Sequence, residues 1–266
     1  MFGAAVRSEI RKFFTTRMWW GMAIAVVLAA AAFAALYSWA LTSDAFSQGG
    51  QGAPVGDAVQ IANSVYTGGL SVGYLLLLTI GVLQIGSEYR HKTITGTFLA
   101  TPKRSEAMLA KVVALLVIGA VYGVVSLVGS VTVGSIGLRL AHHDPFPSIE
   151  ILRTVALSLL VLGLWALIGL GAGILIPNQV AALLISIGVA WIVEPIVGLL
   201  LTAWSWGADH IVPYLPTQAT NAVVNAVQNS PNEHRLSWWA GALVLAAWAA
   251  ALSGFGIWRT VRQDVS

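Results

Sequence analysis

Glu194 is the acidic residue that lies deepest inside an apolar stretch, in the run WIVEP at 191–195. An ionised carboxylate in hydrocarbon is costly unless it is paired, protonated or hydrated. Pro195 follows it and should loosen the helical hydrogen bonding locally. One interpretation places Glu194 and Pro195 on a polar path through a membrane or at a seam between subunits. The other is structural: the carboxylate accepts freed backbone N–H groups or pairs with Arg153.

The motifs of nucleotide binding and hydrolysis are missing from the sequence. No Gly-Lys dipeptide occurs, so no Walker A loop is available to cradle phosphates. HExxH and a paired-carboxylate signature are also absent. The chain is therefore not expected to hydrolyse ATP alone, and we predict no catalytic residues.

Four histidines and an aspartate fall in segments predicted to face outward: His142, His143, Asp144, His210 and His234. Three or four of these side chains could in principle hold zinc. Adjacent histidines cannot share a helix face, however, and the others are distant in sequence. Solvated loop histidines are the favoured interpretation, and no metal site is predicted. A membrane-embedded enzyme that uses Glu194 and these histidines is kept as an alternative.

The composition fits a lipid bilayer as solvent. Hydrophobic residues make up 57% of the 266 residues and charged residues only 9%, with a mean hydropathy of +0.80. Soluble domains carry about 25% charged residues, so a surface this poor in charge would not stay dispersed in water. The pI near 9.4 could indicate nucleic-acid binding. The basic residues stand beside apolar runs, however, so membrane topology explains them better. Without cysteine, disulfides and thiol chemistry are excluded.

Six apolar stretches are long enough to cross the hydrocarbon layer as helices, which takes roughly 20 residues each. They are placed near 19–41, 64–86, 109–137, 151–176, 179–203 and 238–258. Only helices are plausible, because lipid offers no partner for backbone N–H and C=O groups. The predicted fold is one all-α integral membrane domain, 1–266, with six transmembrane helices.

The positive charges predict the orientation of these helices. Of the 14 lysines and arginines, 11 fall on the side that holds both termini and 3 on the other. By the positive-inside rule, both termini and residues 88–108 are therefore cytoplasmic. The outer segment 204–237 should contain a short amphipathic helix, because Ala222, Val223 and Ala226 share one face.

Residues 1–18 have the pattern of a helix that lies in the headgroup layer. Ile10, Phe13 and Phe14 share an apolar face, and cations stand beside it. The residues assigned to this interfacial helix are Glu9, Arg11, Lys12, Phe13 and Arg17. The alternative is a plain basic flank that only sets topology.

The segment 88–111, EYRHKTITGTFLATPKRSEAMLAK, is a long polar and cationic insert between two apolar runs. Thr101 can cap a new helix that has Pro102 at its first position. We expect a short helix parallel to the membrane, a break, and a return into the membrane. Phe98 and Leu99 would lie on an apolar face suited to a groove in a soluble partner. The alternative is an ordinary inner loop.

The same segment also carries an ordered pattern of an acidic residue, Gly-Thr, Leu-x-Thr-Pro-x-Arg and Ala-Lys. The matching residues are Glu88, Gly96-Thr97, Leu99, Thr101-Pro102, Arg104 and Ala110-Lys111. With SEIRKFFTTRMWW at 8–20, WIVEP at 191–195 and YLP at 214–216, the chain resembles an ABC-2 type permease, the membrane subunit of an ATP-binding-cassette exporter. The resemblance covers essentially the whole chain.

This resemblance implies that a separate ATPase docks on residues 88–108 and also contacts the interfacial helix. The implied coupling residues are Glu88, Arg90, Thr93, Gly96, Thr97, Phe98, Leu99, Pro102 and Arg104. ATP and Mg would be bound by that ATPase, and this chain itself would bind no cofactor. A second copy or a similar permease, and the lipid bilayer, are the other expected partners; nucleic acid is not.

The function implied is export of a hydrophobic or amphiphilic substrate, such as a drug, peptide or lipid-like molecule, across the bacterial plasma membrane. Apolar walls with few charges suit such a cargo better than a multiply charged sugar or ion. A non-transporting membrane scaffold or immunity protein is the further alternative.

Overall fold

The computed structural model describes residues 2–43, 57–96, 103–226 and 235–262, and every regular element within these ranges is helical. The α-helices are α1 (Phe2–Phe14), α2 (Met18–Thr42), α3 (Ala58–Thr67), α4 (Leu70–Arg90), α5 (Arg104–Leu140), α6 (Glu150–Leu175), α7 (Gln179–Gly188), α8 (Glu194–Thr202), α9 (Ser205–His210), α10 (Pro216–Val223) and α11 (Trp238–Arg262). A π-helical turn, Val189–Val193, joins α7 to α8, and a 3-10 turn, Val212–Tyr214, precedes α10.

Within the described ranges, six helical segments are long and apolar enough to cross a membrane. In chain order these spans are α2, α3–α4, α5, α6, α7–α8 and α11. The prediction of an all-α membrane protein with six spans is thereby confirmed. The second span begins at Ala58 rather than 64 because Asp57 and Gln60 form a reciprocal capping box, with N···O distances of 2.8 and 3.2 Å.

The centre of the bundle is the contact between α4 and α6. A Cβ atom added to Gly81 would overlap the carbonyl oxygen of Ala166, and one added to Gly169 would overlap that of Leu78. Small residues permit such close backbone approach, and in lipid the resulting van der Waals contact is a main source of helix association. The two helices are therefore held in one register by their glycines.

One end of the bundle, called the α1 end, collects α1, the ends of α4 and α11, and the start of α5. The Tyr122 hydroxyl donates to the Trp19 carbonyl at 2.6 Å, which fixes α2 beside α5. Near the end of α11, a Cβ atom added to Gly256 would press on Ile174 of α6, and one added to Gly173 of α6 would press on Ile85 near the end of α4. Both the first and the last described helices therefore reach the same end.

The opposite end, called the α10 end, is closed by the segment before the sixth span. The Trp165 ring stacks on Tyr74 at 4.3 Å between centroids, and its Nε1 donates to Thr220 Oγ1 at 3.0 Å. Trp248 Nε1 donates to the Tyr214 carbonyl at 3.0 Å. These bonds tie the segment that contains α10 to α6 and α11.

The fifth span, α7–α8, lies at the edge of the bundle. Its buried residues recur at four-residue steps: Ala182, Ser186, Ala190, Glu194 and Gly198. Large apolar side chains on its other faces are exposed, among them Leu184, Trp191 and Leu199. The π-helical turn stands directly before Glu194-Pro195, where proline cannot supply its backbone N–H.

Candidate functional site: a buried charge cluster at the α1 end

Four charged side chains from three helices meet at the α1 end: Glu9, Lys12, Glu88 and Lys111. Lys111 Nζ lies 2.7 Å from Glu9 Oε2 and 2.7 Å from Glu88 Oε1. Lys12 Nζ lies 2.6 Å from Glu9 Oε1 and 2.8 Å from Glu88 Oε1. These residues, called the four-charge cluster, join α1 to the end of α4 and to the second turn of α5.

The amphipathic character of α1 positions two members of the cluster. Phe13 is buried and lies edge-on to Tyr122 of α5, with ring centroids 5.9 Å apart. Glu9 precedes it by four residues and therefore lies on the same face of α1, towards α5. The helix is thus held against α5 by an aromatic contact and by charge.

The cluster is balanced in charge and largely removed from water. Two carboxylates face two ammonium groups, so the formal sum is zero. Lys111 is fully buried, Glu9 and Glu88 are nearly so, and only Lys12 keeps a half-exposed side chain. Removing one partner of a buried pair typically costs about 3–5 kcal/mol, because the remaining charge is left uncompensated.

The pKa values of the two α1 members show how strongly the charges act on each other. Burial by itself would raise the pKa of Glu9, but the charge and hydrogen bond of Lys111, together with those of Lys12, outweigh it and lower that pKa. Burial would likewise lower the pKa of Lys12, yet its bonds to Glu88 and Glu9 raise it. Both groups are therefore held ionised.

A cavity of about 730 Å³ adjoins the cluster and is lined by Glu9, Lys12, Glu88 and Gly96 among others. Gln84 Nε2 donates to Glu9 Oε2 at 3.3 Å. The second carboxylate oxygen of Glu88 is buried and accepts from no described residue. The cluster is thus closely bonded except for this one oxygen.

The structure brings together some, but not all, of the site residues expected from the sequence. Glu9, Lys12 and Glu88 join the cluster, and Phe13 packs beside it. Thr93 donates its backbone N–H to the Glu88 carbonyl at 3.0 Å. Outside the cluster, Arg11, Arg17 and Arg90 are exposed and Arg104 opens α5. The predicted residues Thr97, Phe98, Leu99 and Pro102 lie outside the described part of the chain.

Sequence reasoning assigned no role in the site to Lys111 or Gln84. A usable signal for Lys111 was present: it shares a helix face with Met108, Leu115 and Ile118, all fully buried. A lysine on the apolar side of a helix has to find carboxylates inside the protein. Gln84 gave no comparable signal, because an uncharged glutamine near a helix end can be either exposed to solvent or buried and hydrogen-bonded.

Glu194 has a defined partner at the α10 end. Its Oε1 accepts the backbone N–H and the hydroxyl of Thr217, each at 2.6 Å, and so caps the first turn of α10. Arg153, weighed above as its partner, instead lies 3.7 Å from Glu150 and over the ring of Trp238. The donor to Glu194 is therefore a residue of a neighbouring helix and not Arg153.

The histidines weighed above as metal ligands do not assemble into a metal site within the described ranges. No cluster of three or more His, Asp or Glu side chains able to hold a metal ion is found among the described residues. His234 falls outside them.

Comparison with known proteins identifies the family. A family model described as ABC-2 family transporter protein matches residues 4–265. The chain belongs to this family and is a membrane permease of an ABC transporter, whose family implies an ATP-binding subunit as partner. A search of curated proteins returned no match.

Proposed function

We propose that this chain is the permease subunit of a bacterial exporter that moves a hydrophobic or amphiphilic substrate across the plasma membrane. ATP and Mg are bound and turned over by a separate ATPase subunit. Two permease subunits, identical or similar, form the membrane part. The α1 end is cytoplasmic, which is supported by the 11 of 14 cationic residues assigned to that side.

The observation that carries the proposal is the position of Lys111 and Glu88. Glu88 begins residues 88–108, the part of the chain expected to meet the ATPase, and Lys111 follows them. The two side chains bond to each other and to α1. A force applied to that segment therefore reaches the second span, the third span and the interfacial helix together. A cluster this well paired moves as one body, because separating its members would expose unpaired buried charge.

The transport cycle follows from two states of the assembly. ATP binding draws the two ATPase subunits together, and the coupling segments follow them. The four-charge cluster then turns the inner ends of α4 and α5 with α1, and the bundle changes from inward-open to outward-open. The energy available for this step is the difference in affinity of the ATPase pair for the two states.

The fifth span supports pairing with a second permease. It is held to its own bundle by a narrow stripe of small residues and Glu194, and most of its apolar surface is exposed. Because few packing contacts hold this span to its own bundle, it can shift at small cost in free energy. An interface between subunits that changes during transport requires such a helix. We place the substrate path beside Glu194 and Pro195 for the same reason.

The proposal is tested by co-expressing the permease with its ATP-binding subunit and measuring Mg·ATP hydrolysis in liposomes. The permease alone should show none. Glu88→Gln keeps the shape of the side chain but leaves the cluster with one uncompensated positive charge. We expect substrate-stimulated hydrolysis to fall about tenfold, within the usual range of coupling free energies.

Glu106→Gln is the matched control, because Glu106 stands at the same end but forms a more exposed pair with Lys103 at 3.1 Å. Its coupling should stay near that of the parent protein. If Glu88→Gln hydrolyses and transports normally, or if no ATPase assembles with the permease, the proposal is wrong.

A further inference from the structure

A second cavity, of about 760 Å³, lies beside the fifth span near the α10 end. Residues that line it include Tyr74, Trp191, Glu194, Leu199, Asp209 and Thr217. Its volume falls within the range of small-molecule binding sites in proteins, about 300–1,000 Å³. We call it the Glu194 cavity.

The most buried charged group that lines this cavity is the carboxylate of Glu194, which can accept further hydrogen bonds. Glu194 is only 8% exposed, and both of its hydrogen bonds, from Thr217, fall on Oε1. No donor from a described residue reaches Oε2. Its remaining oxygen can therefore receive a cationic group.

The other charges on the cavity wall leave a negative balance. Asp209 supplies a second, exposed carboxylate, whereas Arg235 supplies one guanidinium. Arg235 already donates to the carbonyl of Ala226. Two carboxylates against one guanidinium make the Glu194 cavity attractive to cations and unattractive to anions.

Aromatic groups complete the site. Tyr74 is 7% exposed and lines the cavity together with Glu194, and its hydroxyl forms no hydrogen bond with a described residue. Trp191 presents a half-exposed indole to the same space. Aromatic faces beside a carboxylate attract desolvated organic cations, and apolar side chains such as Leu199 can hold the body of such a ligand.

We propose that the Glu194 cavity binds the positively charged group of the substrate, so that the cargo class is a monovalent organic cation with an apolar body. This inference rests on the proposed export function and narrows it. The buried carboxylate selects the charge, and the apolar wall tolerates different bodies. Anionic amphiphiles of the same size are excluded by Glu194 and Asp209.

Two probes of nearly equal shape and opposite charge test the proposal: tetraphenylphosphonium and tetraphenylborate. Binding is measured by equilibrium dialysis on the purified permease in a nonionic detergent, with detergent-only blanks. Neither ATPase nor nucleotide is present, so the result stands apart from the hydrolysis test above. Saturable binding of the cation near one per chain, with none of the borate, is the expected result. Equal saturable binding of both ions, or of neither, overturns the inference.

The matched variants are Glu194→Gln and Glu150→Gln. Glutamine at 194 keeps an acceptor for Thr217 but removes the charge, and we expect about tenfold weaker binding of tetraphenylphosphonium. Glu150 is exposed, lies at the same end and does not line the cavity, so its variant should bind as the parent does. Unchanged binding in Glu194→Gln, or equal loss in both variants, overturns the proposal.

If Glu194→Gln does not yield a monodisperse helical protein, Trp191→Leu decides the question. Leucine keeps the wall apolar and removes the aromatic face, so binding of the cation should weaken several-fold. Unchanged binding in that variant overturns the assignment of the cavity.

Discussion

Lys111 Nζ lies 2.7 Å from Glu88 Oε1, so the residue that closes the second span is bonded to one that opens the third. The same ammonium group bonds to Glu9 Oε2 on α1, also at 2.7 Å. The ends of the two spans are thus both bonded to α1. Any movement of one of these three helix ends relative to the others has to separate buried charges.

Lys111→Met should destabilise the protein more than any other substitution in the cluster. Methionine has a similar length but leaves Glu9 and Glu88 with only Lys12 between them, and losing one partner of a buried pair costs about 3–5 kcal/mol. The midpoint of thermal unfolding in detergent measures the effect. Lys103→Met, at a largely exposed position in a surface pair, is the control and should change little. Equal effects of the two substitutions would show that the cluster does not stabilise the fold.

The contribution of Glu9 to stability should depend on pH in a defined direction. Its pKa is lowered in the folded state, so its contribution is complete above its ordinary value of 4.5 and is lost as pH falls through the lowered pKa. Lys12, whose pKa is raised, contributes fully below its ordinary value of 10.5 and loses this only at higher pH.

The difference in unfolding midpoint between the parent protein and Glu9→Gln is therefore expected to stay constant from about pH 6 to pH 9 and to shrink below about pH 4.5. Unfolding curves at a series of pH values give this difference directly. A difference that grew on acidification would contradict the lowered pKa.

Gly81→Ala should push α4 away from α6. The added Cβ atom would meet the Ala166 carbonyl, which is backbone and cannot turn aside. Overpacking of this kind typically costs about 1–3 kcal/mol, and the unfolding midpoint should fall accordingly. Gly21→Ala is the control, since a Cβ there meets nothing within 4 Å. A loss as large at Gly21 would point to backbone effects rather than to the helix contact.

Thr217→Val should loosen α10 from the fifth span without removing a charge. Valine retains the backbone donor to Glu194 but loses the hydroxyl donor, and a hydrogen bond to a charged group contributes about 1.5–3 kcal/mol. Hydrogen exchange of the α10 amides should become faster. Thr202→Val, whose hydroxyl bonds only to its own helix at the Leu199 carbonyl, should leave that exchange unchanged.

The number and type of the spans follow from the sequence because each is a local property. Twenty apolar residues must be helical in lipid, whatever their neighbours. The second span, predicted to begin near 64, begins at Ala58 behind a capping box. That box needs only Asp57 and Gln60, so the information was there.

The pairing inside the four-charge cluster could not be read in the same way. Glu9 and Lys111 stand 102 positions apart, and their contact depends on how α1 and α5 are rotated about their axes. Sequence reasoning placed Glu9, Lys12 and Glu88 in two separate groups on the same side of the membrane. It did not join them, because the residue that joins them was counted only as a topological charge and as part of a family motif. The bond between Glu194 and Thr217 likewise depends on where a connecting segment folds back.

The long separation of Glu9 and Lys111 in the sequence has a consequence for how the protein is synthesised and inserted into the membrane. While the ribosome is still making the first two crossings, the amino-terminal helix has no complete docking surface, because the lysine that completes it has not yet been synthesised. Until the third crossing is inserted, the helix lacks one of the charges that hold it in the folded protein. Shortened nascent chains that end before this lysine should therefore leave the first helix accessible to protease or to labelling reagents.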